Sequence, residues 1–283
     1  DNDRFGEMAA HISGNGNVVV GHAGANNKKY IRAYEYVDAS GDWYQLGSDI
    51  TDFETGHADW ACRVQLSDDG RILAFGNTYD DTTGNNNGRL QVYKFTGDVN
   101  DGSWNALGSY ITVKDSGTID NQLGKDTVSL SSDGYTVAWS SEHFERGTSV
   151  HGRAQVYRYS ELYGDWIKLG SDITRQYDTS PQATEYFARQ CHLSGDGNTI
   201  VLSSHTDDDG ATDSGGYYAF KYINGDWTQV ATYFESLQAS IQMSQLTLRI
   251  SKDGTHAITG SYRYDNSETD TGMAVVCQLN SSS

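Results

Sequence analysis

Five stretches of the chain end in a serine followed by a glycine turn, and the residues just before each serine carry polar groups where a buried strand would be apolar. Counting back from the serines, His11, Gln65, Ser129, His192 and Arg249 stand at one depth, and Arg63, Thr127 and Gln190 at the next. If these strands line a common channel, three chemistries are open to them. Arg63 and Arg249 suit an anion or a carboxylated sugar, because a guanidinium presents a planar fork of donors to two oxygens. His11 and His192 titrate near neutrality and suit an acid or base. The third reading is a ring that satisfies itself around trapped water. The candidate ligand-binding set is therefore His11, Arg63, Gln65, Gln190, His192 and Arg249. The sequence has no serine nucleophile elbow, no His-Glu-x-x-His zinc spacing and no phosphate-binding loop. Paired carboxylates for glycoside cleavage leave no trace in spacing, since they come from distant segments.

The elements that position these residues are repeated. His11-Ile12-Ser13-Gly14-Asn15-Gly16, Gln65 to Gly70, Ser129 to Gly134, His192 to Gly197 and Arg249 to Gly254 align as five hairpins; Asp-Gly or Asn-Gly between apolar runs is the strongest short hairpin signal. Each turn leads into a short apolar strand (Val18-Val19-Val20, Ile72 to Phe75, Val137-Ala138-Trp139, Ile200-Val201-Leu202, Ala257-Ile258), expected to be buried on both faces. A polar loop follows, then an alternating strand with a Tyr or Phe ending, as in Leu90 to Phe95. The unit closes on a tryptophan strand: Gly41 to Ile50 and Gly164 to Ile173 are nearly the same ten residues, with weaker copies at Ser103 to Ile111 and Gly225 to Val230. Trp43, Trp104, Trp166 and Trp227 thus recur about every sixty residues. Four antiparallel strands repeated radially, with no helical periodicity, predict an all-β chain folded as a β-propeller of five blades of four antiparallel strands, the last blade incomplete because its tryptophan strand is missing. The expected domain is a single propeller over 1–283, with blades at about 5–55, 60–116, 123–180, 187–240 and 246–283.

The unit combines Phe5-Gly6 or Leu123-Gly124, a Ser-x-Asp-Gly hairpin, a Gly-x-x-x-Val-Tyr strand (Gly88 to Tyr93, Gly152 to Tyr157) and Trp-x-x-Leu-Gly. It resembles the FG-GAP-like tryptophan propeller repeats of large secreted proteins from marine bacteria and from diatoms and related algae. The resemblance covers nearly the whole chain and implies a surface or adhesive role rather than a defined reaction. The sequence departs from the pattern at Val230-Ala231, where other copies have Leu-Gly. Integrin-type FG-GAP repeats hold calcium with alternating aspartates, a glycine and a closing aspartate, since the ion takes six to eight hard oxygens. His205 to Asp213 is similar at Asp207, Asp209, Gly210 and Asp213, with His205 in place of the first ligand. The resemblance therefore implies calcium as the one cofactor, held by Asp207, Asp209 and Asp213.

The long loops connecting strands gather on one face, with Asp80, Asp81, His143, Glu145, Arg146, Asp265 and Asp270 beside the Asp207 loop; variable loops on a rigid scaffold are where binding is usually built. With 38 acidic against 20 basic side chains the net charge is -18, which repels phosphate backbones and excludes nucleic acid as a partner. The longest apolar runs are strand-sized, so no membrane insertion is expected. Asp1-Asn2-Asp3 reads as a mature or trimmed start, and an acidic, Tyr-, Gly- and Asn-rich chain suits an extracellular or cell-surface location. Cys62, Cys191 and Cys277 are expected as free thiols within strands. The expected function is a secreted or cell-surface binding or structural module, recognising a glycan or another extracellular protein or assembling with itself. The rival is a carbohydrate-active enzyme, a glycosidase or lyase at the channel mouth, using His192, Arg63 and loop carboxylates.

Overall fold

The computed structural model describes residues 4–6, 9–23, 30–51, 62–78, 88–112, 127–142, 145–146, 149–150, 152–175, 186–208, 211–234, 238–265 and 271–279. Every regular element among them is a β-strand. The first sheet is β1 (Ala10–Ile12), β2 (Val18–Ala23), β3 (Tyr30–Val37) and β4 (Asp42–Gln45), hydrogen-bonded in that order. The second is β5 (Cys62–Leu66), β6 (Ile72–Asn77), β7 (Arg89–Thr96) and β8 (Ser103–Ala106), with the short β9 (Ile111–Thr112) also on β7. The third contains β10 (Thr127–Leu130) and β11 (Thr136–Ser141); a separate ribbon of β12 (Glu145–Arg146) and β13 (Ser149–Val150) follows, then β14 (Arg153–Ser160) and β15 (Asp165–Lys168) complete the sheet. The fourth is β16 (Phe187–Leu193), β17 (Thr199–Ser204), β18 (Gly216–Ile223) and β19 (Asp226–Phe234). The last, β20 (Leu248–Ile250), β21 (His256–Ser261) and β22 (Met273–Gln278), has three strands among the described residues. Five sheets thus stand in the order of the five repeats. The chain divides into two compact units, residues 1–137 with 158–167, and 138–157 with 168–283.

The hairpin motif is explained by its own hydrogen bonds. The serine hydroxyl donates to the Asp or Asn two residues on (Ser67 to Asp69 2.6 Å, Ser194 to Asp196 2.5 Å) and accepts the amide that opens the next strand (Ile72 2.9 Å, Thr199 3.0 Å). The same carboxylate accepts the amide two residues beyond it, 2.9 Å from Arg71 and 3.0 Å from Asn198. The turn glycine is left-handed, φ 71° at Gly70, and a Cβ there would stand 2.5 Å from the side chain of Val18, so a side chain is refused on two grounds.

The core follows the second and third strands of each sheet. Val18, Val20, Ile31, Leu73 and Phe75 lie in one cluster of the first unit; Ile200, Leu202, Phe187 and Phe220 in one cluster of the second, and Val201, Ala219, Leu248 and Ala257 in another. Double-faced burial holds for β6, β11 and β17 but not for β21, where His256 and Ile258 are exposed and Ala257 and Thr259 buried. Alternation replaces the apolar run because only one face of that sheet is covered. Cys191 is buried and Cys277 half-buried, and neither is part of a disulfide; the side chain of Cys62 lies outside the described residues. Among the described residues no helix is long and apolar enough to cross a membrane.

Candidate functional site

The tryptophan strand is a clasp between successive repeats. Trp104 Nε1 donates to the carbonyl of Leu46 at 2.8 Å, Trp166 to Leu107 at 2.6 Å and Trp227 to Leu169 at 2.7 Å. The glycine after each leucine has φ 71° to 74° (Gly47, Gly108, Gly170), and the next repeat's Trp ring lies where its Cβ would be, 3.2, 2.9 and 3.0 Å away. Leu-Gly is therefore required as a pair: the leucine supplies the acceptor, and the glycine supplies both the bend and the room. The aspartate before the tryptophan adds a second tie. Asp165 accepts the amide of Ser109 and Asp226 that of Ser171, both at 2.8 Å. These bonds, led by the serine amide, hold both carboxyls below the usual range. Where Val230-Ala231 replaces Leu-Gly the chain does not bend, and β19 runs on through a bulge at Val230 to pair Ala231 with Ala219 and Phe234 with Gly216.

In the second unit the clasp lies beside a groove of about 870 Å³, lined by Ser171 to Arg175 on one side and by Tyr218, Phe220 and Asp226 to Gln229 on the other. The short strand after the Leu-Gly bend forms the first wall, held by the bridge between Ala154 and Ile173. Asp172 faces Arg153 at 3.0 Å and Gln155 at 2.8 Å, and Lys168, at the end of β15, reaches it across the Leu-Gly bend. Burial opposes the charge of Asp172, but Lys168, Gln155 and Arg153 together hold its carboxyl below the usual range. Arg175, at the groove's end, bonds Asp207 at 2.9 Å and lies over the ring of Tyr218. The groove thus offers carboxylates, hydroxyls, an amide and a half-buried indole, without a carboxyl group shifted upward to act as an acid.

Behind it sits a buried charged cluster. Asp207 is fully buried and accepts both Arg175 and the hydroxyl of Tyr218, 3.0 Å away. His205, 4% exposed, stacks on Tyr186 and stands 4.0 Å from Glu142, which Arg189 approaches at 3.5 Å. Burial, only partly offset by Glu142, pushes the His205 imidazole down to about 4.

The channel residues are placed as follows. His11 Nδ1 accepts the amide of Leu66 at 3.1 Å and Gln65 Oε1 that of Leu130 at 2.6 Å, both within the first unit. In the second unit Arg249 donates to His192 Nε2 at 2.6 Å. These side chains tie one innermost strand to the next. Arg63 and Gln190 are half-buried on β5 and β16, and the amide of Gln190 donates to Ser203. Of the suggested calcium ligands, Asp207 is engaged by Arg175 and Tyr218, and Asp213 lies at φ 49° with its amide on Asp208. Asp209 and Gly210 are outside the described residues, as are Asp80, Asp81, His143 and Asp270; only the backbone of Glu145 and Arg146 is described. Among the described residues no three His, Cys, Asp or Glu side chains converge as a metal site. The groove residues Thr174, Arg175, Thr228 and Gln229 escaped the sequence reading, which had one usable signal: they flank the two halves of a clasp.

No protein-family model matches the sequence, and no curated protein matches it either. Among solved structures the chain is similar to Sqt1 of Saccharomyces cerevisiae, 14% identical with TM-score 0.51, over 93% of this chain and 59% of that one. It is similar to the Dos1 propeller, 13% identical with TM-score 0.50, over 95% of this chain and 54% of that one. It is also similar to the tricorn protease, 13% identical with TM-score 0.50, over 96% of this chain and 25% of that one. The chain therefore spans less than two thirds of each of these structures. At such identities the likeness shows fold alone: the chain is an all-β β-propeller, its five sheets the blades.

Proposed function

We propose that the chain is a single propeller domain acting as a recognition module of a secreted or cell-surface protein, built from FG-GAP-like repeats and binding a glycan in the groove beside Trp227. The observation that carries this reading is the lining of the groove: two carboxylates, Asp172 and Asp226, stand beside the half-buried Trp227, and carboxylate oxygens accept hydrogen bonds from sugar hydroxyls. A half-buried indole supplies an apolar face for a pyranose ring, and Gln229 and Thr228 supply further polar contacts. The use of His11, Gln65, His192 and Arg249 as ties between inner strands weighs against the rival enzyme at the channel mouth. Calcium has no part in the reading, since Asp207 already neutralises Arg175. The test is glycan-array binding together with native mass on one purified sample. A defined glycan bound by a monomer is expected; a silent array with a high-mass assembly transfers the function to self-assembly.

A further inference from the structure

Among the described residues the last sheet repeats the register of the first, second and fourth but lacks what covers them. In the first, second and fourth sheets one cross-strand pair occupies the same position and is sealed: Val20 with Ala33 (2% and 3% exposed), Ala74 with Val92 (0% and 1%) and Val201 with Ala219 (both 0%). The matching pair in the last sheet, Ile258 with Val276, is 45% and 65% exposed. Among the described residues no strand pairs with the edge beside it. In the first three sheets the leucine of the tryptophan strand donates its amide to Ala33, Val92 or Val156, each at 2.8 Å. Val276 stands at that position on β22, with its carbonyl and amide turned outward by strand alternation. Tyr36, Phe95, Tyr159 and Tyr222 each pack a ring on their own sheet's tryptophan, at 5.3 to 5.5 Å. Leu279 takes that place in the last sheet, its amide on Thr255 as theirs are on Asn17, Arg71, Tyr135 and Asn198. Finally, Val230 is the fourth carbonyl in the series Leu46, Leu107, Leu169; it sits in the bulge of β19, opposite no residue of β18.

We propose that the edge of β22 is a docking site for an extended Trp-x-x-Leu-Gly strand of a partner polypeptide, which adds antiparallel to β22, gives its indole N–H to the Val230 carbonyl and its leucine amide to Val276. The occupant is specified by the clasp that repeats three times in this chain, and strand addition to an exposed edge supplies the backbone bonds. A second copy of this chain has no such strand to spare, because Trp43, Trp104, Trp166 and Trp227 already lie in β4, β8, β15 and β19. An open edge flanked by apolar side chains is otherwise a liability that folded proteins avoid.

The experiment titrates a labelled synthetic peptide with the sequence of residues 164–173 into the folded chain. Saturable one-to-one binding is expected, weakened at least about tenfold when the peptide's tryptophan becomes alanine. Ala274→Pro should abolish binding without lowering the melting temperature, since the amide it removes faces away from β21 and matches the Ile31 and Ala154 amides, which donate to the carbonyls of Ile50 and Ile173. If that variant does not fold, hydrogen exchange on the native chain serves instead: the peptide should protect the outward amides of Ala274 and Gln278. Absence of binding and of protection overturns the proposal, as does a concentration-dependent dimer that buries β22 while the peptide has no effect.

Discussion

The clasp makes a quantitative prediction because the same residue occurs in two states within one unit. Trp166 is 8% exposed and bonds Leu107 at 2.6 Å, while Trp43, the first of the series, is 41% exposed. Among the described residues no preceding repeat offers the Trp43 indole a carbonyl. Both tryptophans pack on a tyrosine at 5.5 Å, a contact phenylalanine keeps. Trp166→Phe leaves the buried Leu107 carbonyl unpaired, at a cost of about 1–3 kcal/mol, and gives up about 1 kcal/mol more of buried ring. The expected loss is about 2–4 kcal/mol, against less than about 0.5 kcal/mol for Trp43→Phe. Urea unfolding followed by far-ultraviolet circular dichroism measures both without relying on the removed fluorophore. Equal shifts in midpoint, or a larger shift for Trp43→Phe, would refute the idea that the indole bond to the preceding repeat stabilises the fold.

Three further outcomes are expected. Gly170→Ala combines a left-handed φ of 73° with a Cβ 2.8 Å from Asp226 Oδ1, whereas Gly164→Ala at φ 63° meets nothing within 4 Å; thermal melting should show about 1 kcal/mol lost at Gly164 and clearly more at Gly170. His205 stays neutral when folded, its value of about 4 lying below the ordinary 6.5. Its contribution is therefore complete above pH 6.5 and lost as pH falls toward 4, by about 3 kcal/mol; His205→Gln should flatten the wild-type stability profile across that window, and an unchanged profile contradicts the burial. Calcium at millimolar concentration should leave the melting temperature unaltered, because a ligand that binds only the folded state would raise it and Arg175 holds Asp207.

What was legible in the sequence is what each repeat does within itself. Ser67, Asp69 and Gly70 complete their hydrogen bonds within a few residues, so the hairpin and its five copies can be read from spacing. The clasp was legible as a repeated strand but not as a bond, because Trp166 meets Leu107 across 59 residues and nothing in either segment names the other. Asp207 shows the same limit in reverse. Its loop spacing suggested a metal ligand, and the residue that decides its role, Arg175, arrives from the preceding repeat. The replacement of Leu-Gly by Val230-Ala231 did signal the structural change: without glycine the backbone stays extended and β19 lengthens. The groove belongs to neither segment alone, so its lining emerges only when two repeats pack.

Recognition at that groove is tested most directly by calorimetric titration of an array-identified glycan into the native chain and into Gln229→Ala, whose exposed side chain lines the groove. Saturable binding with no product released is expected, with an affinity at least about tenfold lower in the variant. Cleavage of the glycan by the native chain, or identical affinities for both proteins, would contradict it.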